Sequence, residues 1–447
     1  MALTRFDGHP PVGDLGMPLV SLLAIAASLF VGFGNGSYVV RYSPAAIALV
    51  ATGVTLVWIA SWPRCAEVLV SERHNRIDGG LAFAACFLAA VRFRGGLYAT
   101  GPALSISIAL VVVAAAVALV LVVFRYPQQA LVSTLLLIGG ASIAMIVASP
   151  APQIDVWSMY QAVAKGLLHG HNVYTQHWSP NLPGQATIYA YFPGPALALT
   201  PFYALFGDVR FGVLFAFLVS AILIRRTARA PQAAIFAALL LLYPFLTFSI
   251  EQSWSEPLSL LVLLLMAWAV RRQKTGWAIV ALAVLLTFQQ FDLIFVPLTA
   301  AWKGFGVRRT ALSVTLAAVF IAPWALAAPH RFIEGAFTYE FHYPFAYASL
   351  TIFHHLSDIS GVLAYLALVV GVMVALTIAM KRVHEGGSFL MGCSLVLMTL
   401  NLVDKVSNFN EWELAAGLIL AAGAEALGLA GRTGARRQRH SRAGFSS

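Results

Sequence analysis

Continuous apolar runs of about 17–25 residues recur along almost the whole chain, separated by short polar connections. At 1.5 Å of rise per residue, a helix of that length crosses a hydrocarbon core of roughly 30 Å. The runs do not alternate apolar with polar, so the strands of a membrane barrel are a poor alternative. Spans are expected near 17–33, 44–62, 79–98, 101–124, 130–149, 208–224, 232–250, 256–270, 310–328, 360–380, 388–403 and 412–430. Over 276–302 the pattern predicts two short helices meeting near Gln289–Asp292, because that polar tip would be costly in lipid. One stretch departs from the theme. Beyond Pro150, the residues Val156, Met159, Tyr160, Val163, Leu167 and Leu168 recur at helical spacing, which predicts an amphipathic helix lying along the membrane surface. Gly166, Gly170 and the Pro/Asn/Gly cluster at 179–184 break it. The fold class expected is all-α, a polytopic transmembrane helical bundle of about 14 spans with amphipathic surface helices outside the membrane.

Composition agrees with that picture. Hydrophobic residues make up 60% of the 447 and charged residues 10%, against roughly a quarter charged in soluble domains. The net charge of +10 does not point to nucleic acid, because the basic residues sit in short loops between apolar runs. Cys65, Cys86 and Cys393 fall in or beside apolar segments without metal-type spacing and read as small buried hydrophobes. Residues Met1 to Gly16 lack a basic region followed by a short apolar core and a cleavage site, so no cleavage is expected. Gly32-Phe-Gly-Asn-Gly-Ser37 superficially resembles a phosphate loop, but no strand precedes it, and it is read as a turn between two spans.

Charge gives the bundle a direction. The strongly basic connections carry Arg225/Arg226/Arg229, Arg271/Arg272/Lys274, Lys303/Arg308/Arg309 and Lys381/Arg382, with Arg432, Arg436, Arg437, Arg439 and Arg442 in the tail. These are expected in the cytoplasm, the tail against anionic headgroups. The intervening connections hold the acids Asp155, Asp208, Glu251, Glu256, Glu334, Glu340, Asp358, Asp404, Glu411 and Glu413, and face outward. Parity then requires Pro193–Phe206 to lie in the outer interface or to dip in and return, and it puts both termini in the cytoplasm of a multi-pass cell-membrane protein. The expected organisation is 1–126, a group of four transmembrane helices; 127–430, a transmembrane core with an outer loop at 150–192; and 431–447, a basic cytoplasmic tail.

The outer loop reads D-V-W-x-x-Y-Q-x-x-A-x-x-L-L-x-G-x-N-x-Y from Asp155, then Y-x-Y-F-P-G-P-A-L-A-L-T-P-F, then G-D-V-R at the next span. Over roughly Pro127 to Ala430 the chain resembles the GT-C superfamily of membrane glycosyltransferases, most closely bacterial polyprenyl-phosphomannose-dependent mannosyltransferases. The resemblance implies a GT-C-like core that moves a sugar, mannose for the nearest relatives, from a polyprenyl-phosphate donor to a glycan or glycolipid acceptor. It implies no nucleic acid partner and an active site outside the cytoplasm. Glu251-Gln-Ser-Trp-Ser-Glu256-Pro257 is consistent with a second acidic motif of such enzymes, and the stretch around Gln289–Pro297 is similar to their helical pair, with Gln289 where a Lys is usual. A second Lys of one branch is replaced by Phe192.

Inversion at an anomeric carbon needs a carboxylate to accept the proton of the acceptor hydroxyl. Asp155, the only acid between Pro150 and Phe206, is the candidate base; the alternative is an ordinary helix start. Glu256 is the second candidate, orienting the acceptor or supporting Asp155, with helix capping before Pro257 as its alternative. The departing phosphate needs cations or donors. Lys405, in a stretch similar to the superfamily's closing motif, comes first, followed by Arg331 and His342; Lys165 reads as solvated and Arg210 as a snorkelling side chain. Gln290, Tyr191 and Glu251 complete the candidate binding residues, with Gln290 and Asp292 either lining the cavity floor or satisfying each other. No resident cofactor is expected; a divalent metal on His169, His171 and His177 or on His354-His355 is the alternative. A lipid-linked glycan transporter or flippase, a glycan polymerase or ligase, and a non-catalytic scaffold are the competing readings.

Overall fold

A computed structural model describes residues 17–38, 44–61, 73–74, 77–92, 96–178, 187–228, 230–244, 246–339, 351, 361–383, 386–404 and 409–443. Apart from a two-residue antiparallel bridge between Met17–Pro18 and Arg73–His74, its regular structure is helical. The apolar runs become helices close to where the pattern puts them, from Leu19–Tyr38 and Pro44–Ser61 through Gly101–Val123 and Pro127–Ala148 to Gly386–Val403 and Phe409–Ala443. Among the described residues, five helices have the length and apolar character to cross a membrane alone, and up to seven if each of two bent pairs is one span. Shorter apolar helices, including Ser21–Phe33, Thr275–Leu285, Gln290–Ala301 and Leu368–Met380, contribute to the rest of the bundle.

The interruptions have local causes. Helix Gly194–Phe206 ends at Gly207, whose φ of 74° is open to glycine, and the chain turns through 110° into Arg210–Thr227. That bend suits the interfacial or re-entrant course expected for 193–206. Helices Ala233–Leu241 and Leu246–Gln252 meet at 49° around Pro244, which has no N–H to continue the ladder. Helix Thr275–Leu285 breaks before a 3₁₀ turn at Gln290–Phe295 and resumes as Val296–Ala301, so the break falls at the expected polar tip. One expectation fails: Gly32–Ser37 is not a turn, because the first helix runs through it to Tyr38. A helix keeps its backbone bonds internal where water is absent. Here the small residue also admits a neighbour, since a Cβ on Gly32 would stand 3.0 Å from Pro244 Cδ.

The bundle closes through small residues, as helices in lipid do when dispersion must replace the hydrophobic effect. On the last helix, a Cβ at Gly423 would lie 2.8 Å from Ala24 Cβ and 2.7 Å from Phe236 Cε1, and the Ser21 hydroxyl donates to the Gly423 carbonyl at 2.8 Å. The first helix, the last helix and Ala233–Leu241 thus meet in one buried apolar cluster. Cys86 and Cys393 are buried free thiols, and Cys65 lies outside the described residues. Helices Gly101–Val123 and Val307–Ala327 instead expose Val113, Val120, Leu312, Val319 and Leu326. An apolar outer wall over a packed interior is the arrangement lipid favours.

Replacing Gly423 by Leu should force apart the first helix, the last helix and Ala233–Leu241, at about 1–3 kcal/mol for overpacking. A lower thermal midpoint in detergent, with helical content retained below it, is the expected reading.

Candidate functional site

The surface helix Asp155–Leu168 is fastened by almost every polar or aromatic residue in its opening motif. Trp157 lies beneath the Arg210 guanidinium, 5.6 Å from ring centroid to Cζ. Gln161 accepts the Val209 N–H at 3.0 Å and donates to the Gly207 carbonyl at 3.2 Å. Tyr160 is fully buried and donates to Ser255 Oγ at 3.0 Å. Burial, above all, pushes its phenol well above the ordinary tyrosine range; Tyr191 and Glu256 add to the shift and the Ser255 bond opposes it. Tyr160 therefore stays a neutral donor.

Arg210 corrects a sequence expectation. It does not snorkel: it is fully buried, grips both oxygens of Asp208, and donates to the carbonyls of Ser149 at 2.7 Å and Ile146 at 3.3 Å. Those carbonyls belong to the end of helix Pro127–Ala148, which has no further turn to receive them. The G-D-V-R motif is thus a cap that holds the chain entering Asp155. Asp155 itself is half-buried in the first turn, and its Oδ1 accepts the Val156 N–H at 2.9 Å, the only hydrogen bond its carboxylate makes among the described residues. A helix start is therefore part of its role, with carboxylate capacity left over.

Beneath this helix lies a buried polar network. Gln289 Nε2 donates to Ser255 Oγ at 2.5 Å and to Glu256 Oε1 at 3.0 Å. Asn410 lies beside Glu256. Ser259 donates to Asp292 Oδ2 at 3.0 Å, and Ser249 donates to Glu413. Glu256 lies within electrostatic reach of both Asp292 and Glu413, so three buried carboxyl groups share one region. Glu256 Oε2, Asp292 Oδ1 and Glu413 Oε1 have no hydrogen-bond partner among the described residues. Asp292 and Gln290 do not satisfy each other, because Gln290 is committed elsewhere.

Gln290 Nε2 bridges the carbonyls of Ala190 at 2.8 Å and Ala336 at 2.5 Å. It joins the outer loop to a turn at Glu334–Thr338 that widens to π-helical spacing. Gly335 sits there because a Cβ would be 2.1 Å from the Tyr189 carbonyl. The Phe192 and Gly194 N–H groups donate to Phe288 and Thr287, pinning the Y-F-P-G segment to the helix break. Tyr191 stacks on Tyr160 at 5.9 Å. Beside this junction Gly194, Leu197, Val284, Thr287, Phe288 and Phe320 line an apolar groove of about 480 Å³.

The remaining candidates are dispersed or differently engaged. Both oxygens of the buried Glu251 are taken, by the N–H groups of Leu97 at 2.6 Å and Tyr98 at 2.9 Å, with Gln252 also donating at 3.1 Å. It clasps the loop before Gly101–Val123. Tyr98 in that loop has its phenol raised by burial first, then by the charges of Glu251 and Asp155, which sets the loop beside Asp155. Arg331 is exposed and paired with Glu334 at 3.2 Å. Lys165 is exposed. Lys405 and His342 lie outside the described residues, as do His354 and His355. Among the described residues no three His, Cys, Asp or Glu side chains converge as metal ligands. Asp155, Glu256, Gln290 and Tyr191 are therefore the candidates that fall in one region. Sequence reasoning passed over Tyr98, gave Gln161, Ser255 and Asn410 only their place in motifs, and read Tyr160 as part of the helix's apolar face. Comparison of the chain with protein-family models, curated proteins and solved structures finds no match.

Arg210→Ala should cost about 3–5 kcal/mol, because it leaves Asp208 unpaired and uncaps Pro127–Ala148. Thermal unfolding in detergent should show the loss, and pairing the change with Asp208→Asn should recover part of it.

Proposed function

We propose that the protein is an inverting glycosyltransferase with a GT-C-like core and about 14 membrane crossings. It moves a sugar, mannose by resemblance, from a polyprenyl-phosphate donor to a glycan or lipid acceptor on the outer face of the cell membrane. The observation that carries this reading is the contrast within one helix. Trp157, Tyr160 and Gln161 are spent on anchoring, while Asp155 keeps carboxylate capacity at the mouth of a span. A rigidly held, partly exposed carboxylate is what a general base requires.

Other features support the same reading. The apolar groove reaches the junction at Gly194, Thr287 and Phe288, and a polyprenyl chain would fit there with its phosphate toward the outer loop. Glu256, held through Gln289, supports the acceptor side, and Tyr191 offers an aromatic face to a sugar. Lys405 is proposed to meet the donor phosphate, with Arg331 and His342 as lesser contributors and Glu251 acting through the Leu97–Tyr98 loop. The acceptor hydroxyl gives its proton to Asp155 as its oxygen bonds the anomeric carbon, and the lipid phosphate leaves with the bonding pair.

A second reading draws on the buried carboxyl groups of Glu256, Asp292 and Glu413, since ionisable groups inside a bundle also serve proton-coupled transport. The two readings separate in one experiment with purified protein in nanodiscs and a polyprenyl-phospho-sugar. Asp155→Asn should lower transfer by about 10²–10⁴-fold with stability retained. Glu256→Gln, which can still accept from Gln289, should slow it less. Full activity in Asp155→Asn would sink the mechanism. Absence of any turnover by the unmodified protein, together with acidification-driven flux of a lipid-linked glycan in vesicles, would favour transport.

A further inference from the structure

Helix Glu256–Arg271 carries the chain about 24 Å away from the Glu256 network. At its far end a second cavity, of about 380 Å³, is walled by Val270, Gln273, Thr275, Gly304, Phe305 and Arg309. Its chemistry differs from that of the apolar groove. Arg309 Nη1 donates to the carbonyls of Gly304 at 3.0 Å and Phe305 at 3.3 Å, which fixes the guanidinium against the turn, and the group makes no other hydrogen bond among the described residues. Gln273 holds a φ of 56°, a conformation rarely adopted by residues with a side chain, and Gly306 one of 86°.

Two helices begin at this cavity. Thr275 is the first residue of Thr275–Leu285 and Arg309 the third of Val307–Ala327, and neither helix has a side-chain cap. Their opening N–H groups have no partner within their own helices. The carbonyls at the end of Glu256–Arg271 are in part occupied, since Arg272, Gln273 and Lys274 donate to Trp268, Val270 and Ala269. The rim adds Arg272, Lys274, Lys303 and Arg308, all exposed, and Arg271 donates to the Thr227 carbonyl, bringing in the basic connection 225–229. Segments 225–232, 271–276 and 302–310 contain no Asp or Glu.

We infer that this cavity binds a phosphate group at the level of the inner headgroups, with Arg309 as its central contact. The binding chemistry is that of a phosphate mono- or diester anion: a guanidinium, helix-start N–H groups and the donors of Gln273 and Thr275, within a cationic rim. An anionic phospholipid headgroup and a free phosphate share that chemistry. The site stands apart from the proposed sugar transfer, so failure of either idea leaves the other in place.

The test uses the full chain, with lipid retention read by native mass spectrometry from nanodiscs of phosphatidylglycerol or phosphatidylcholine, and with inorganic phosphate added to delipidated protein in thermal unfolding. Preferential retention of phosphatidylglycerol is expected, with Arg309→Gln weakening it about tenfold. Gln273→Glu, which leaves the Arg309 bonds to Gly304 and Phe305 intact, should weaken it similarly by setting a carboxylate in the wall. A rise in midpoint with inorganic phosphate that both variants abolish would place the ligand in solution and support the same site. Equal retention of phosphatidylcholine without a phosphate effect, or wild-type behaviour in a folded Gln273→Glu protein, would overturn the proposal, and the latter readout holds even if Arg309→Gln fails to fold.

Discussion

Every interruption of a helix in a hydrocarbon-bound bundle must find its hydrogen bonds within the protein, and this chain meets that constraint by breaking several helices at one place. The free carbonyls at the end of Pro127–Ala148 are taken by Arg210, from the turn that ends Gly194–Phe206. That turn is held in its turn by Gln161 of the surface helix. The break at 286–289 receives the N–H groups of Phe192 and Gly194, and Gln290 binds the carbonyls of Ala190 and Ala336. Each discontinuity satisfies another. A polar junction is the physical result, and it can sit inside an apolar molecule because its breaks supply hydrogen bonds to one another.

That arrangement explains why the candidate chemistry is concentrated. Irregular backbone is tolerated at membrane depth only where protein or a cavity surrounds it, so the region where these breaks meet is well placed to carry polar side chains. Tyr160, Ser255, Gln289 and Glu256 form a line of hydrogen bonds from the surface helix into the interior. Asp155 stands near one end of that line, on the helix anchored by Trp157, Tyr160 and Gln161. Glu251 works differently: its carboxylate is saturated by a backbone loop, leaving it a clasp more than a contact for substrate.

Much of the architecture was legible from periodicity and charge. The surface helix begins at Asp155 as the spacing of Val156, Met159, Tyr160 and Val163 implies, and the break at Gln289–Asp292 falls where polar residues interrupt an apolar run. The sharp turn after 193–206 is compatible with the course that counting sides of the membrane predicts. What could not be read was pairing across the chain. A lone Arg210 at a span end looks like a snorkelling side chain until the carbonyl of Ser149 is beside it, and Gln289 reads as a missing lysine until Ser255 and Glu256 come within reach. Gly32–Ser37 misled for a related reason: glycines signal a turn in water, whereas in a packed membrane helix they signal a close neighbour, here Pro244.

The same logic bears on the replaced lysine. A cation at position 289 would sit against Glu256, in the region where the carboxyl groups of Asp292 and Glu413 also lie. Gln289 instead donates from a neutral amide, which orients Glu256 without cancelling it and leaves Glu256 Oε2 unbonded among the described residues. Under the proposed transfer, positive charge for the departing phosphate would have to come from another residue. If transfer is the activity, the substitution separates two jobs that one lysine would combine: holding the inner carboxylates and meeting the phosphate. Gln289→Lys accordingly tests the proposed division of labour at its centre, because it would tie up Glu256 while leaving Asp155 untouched.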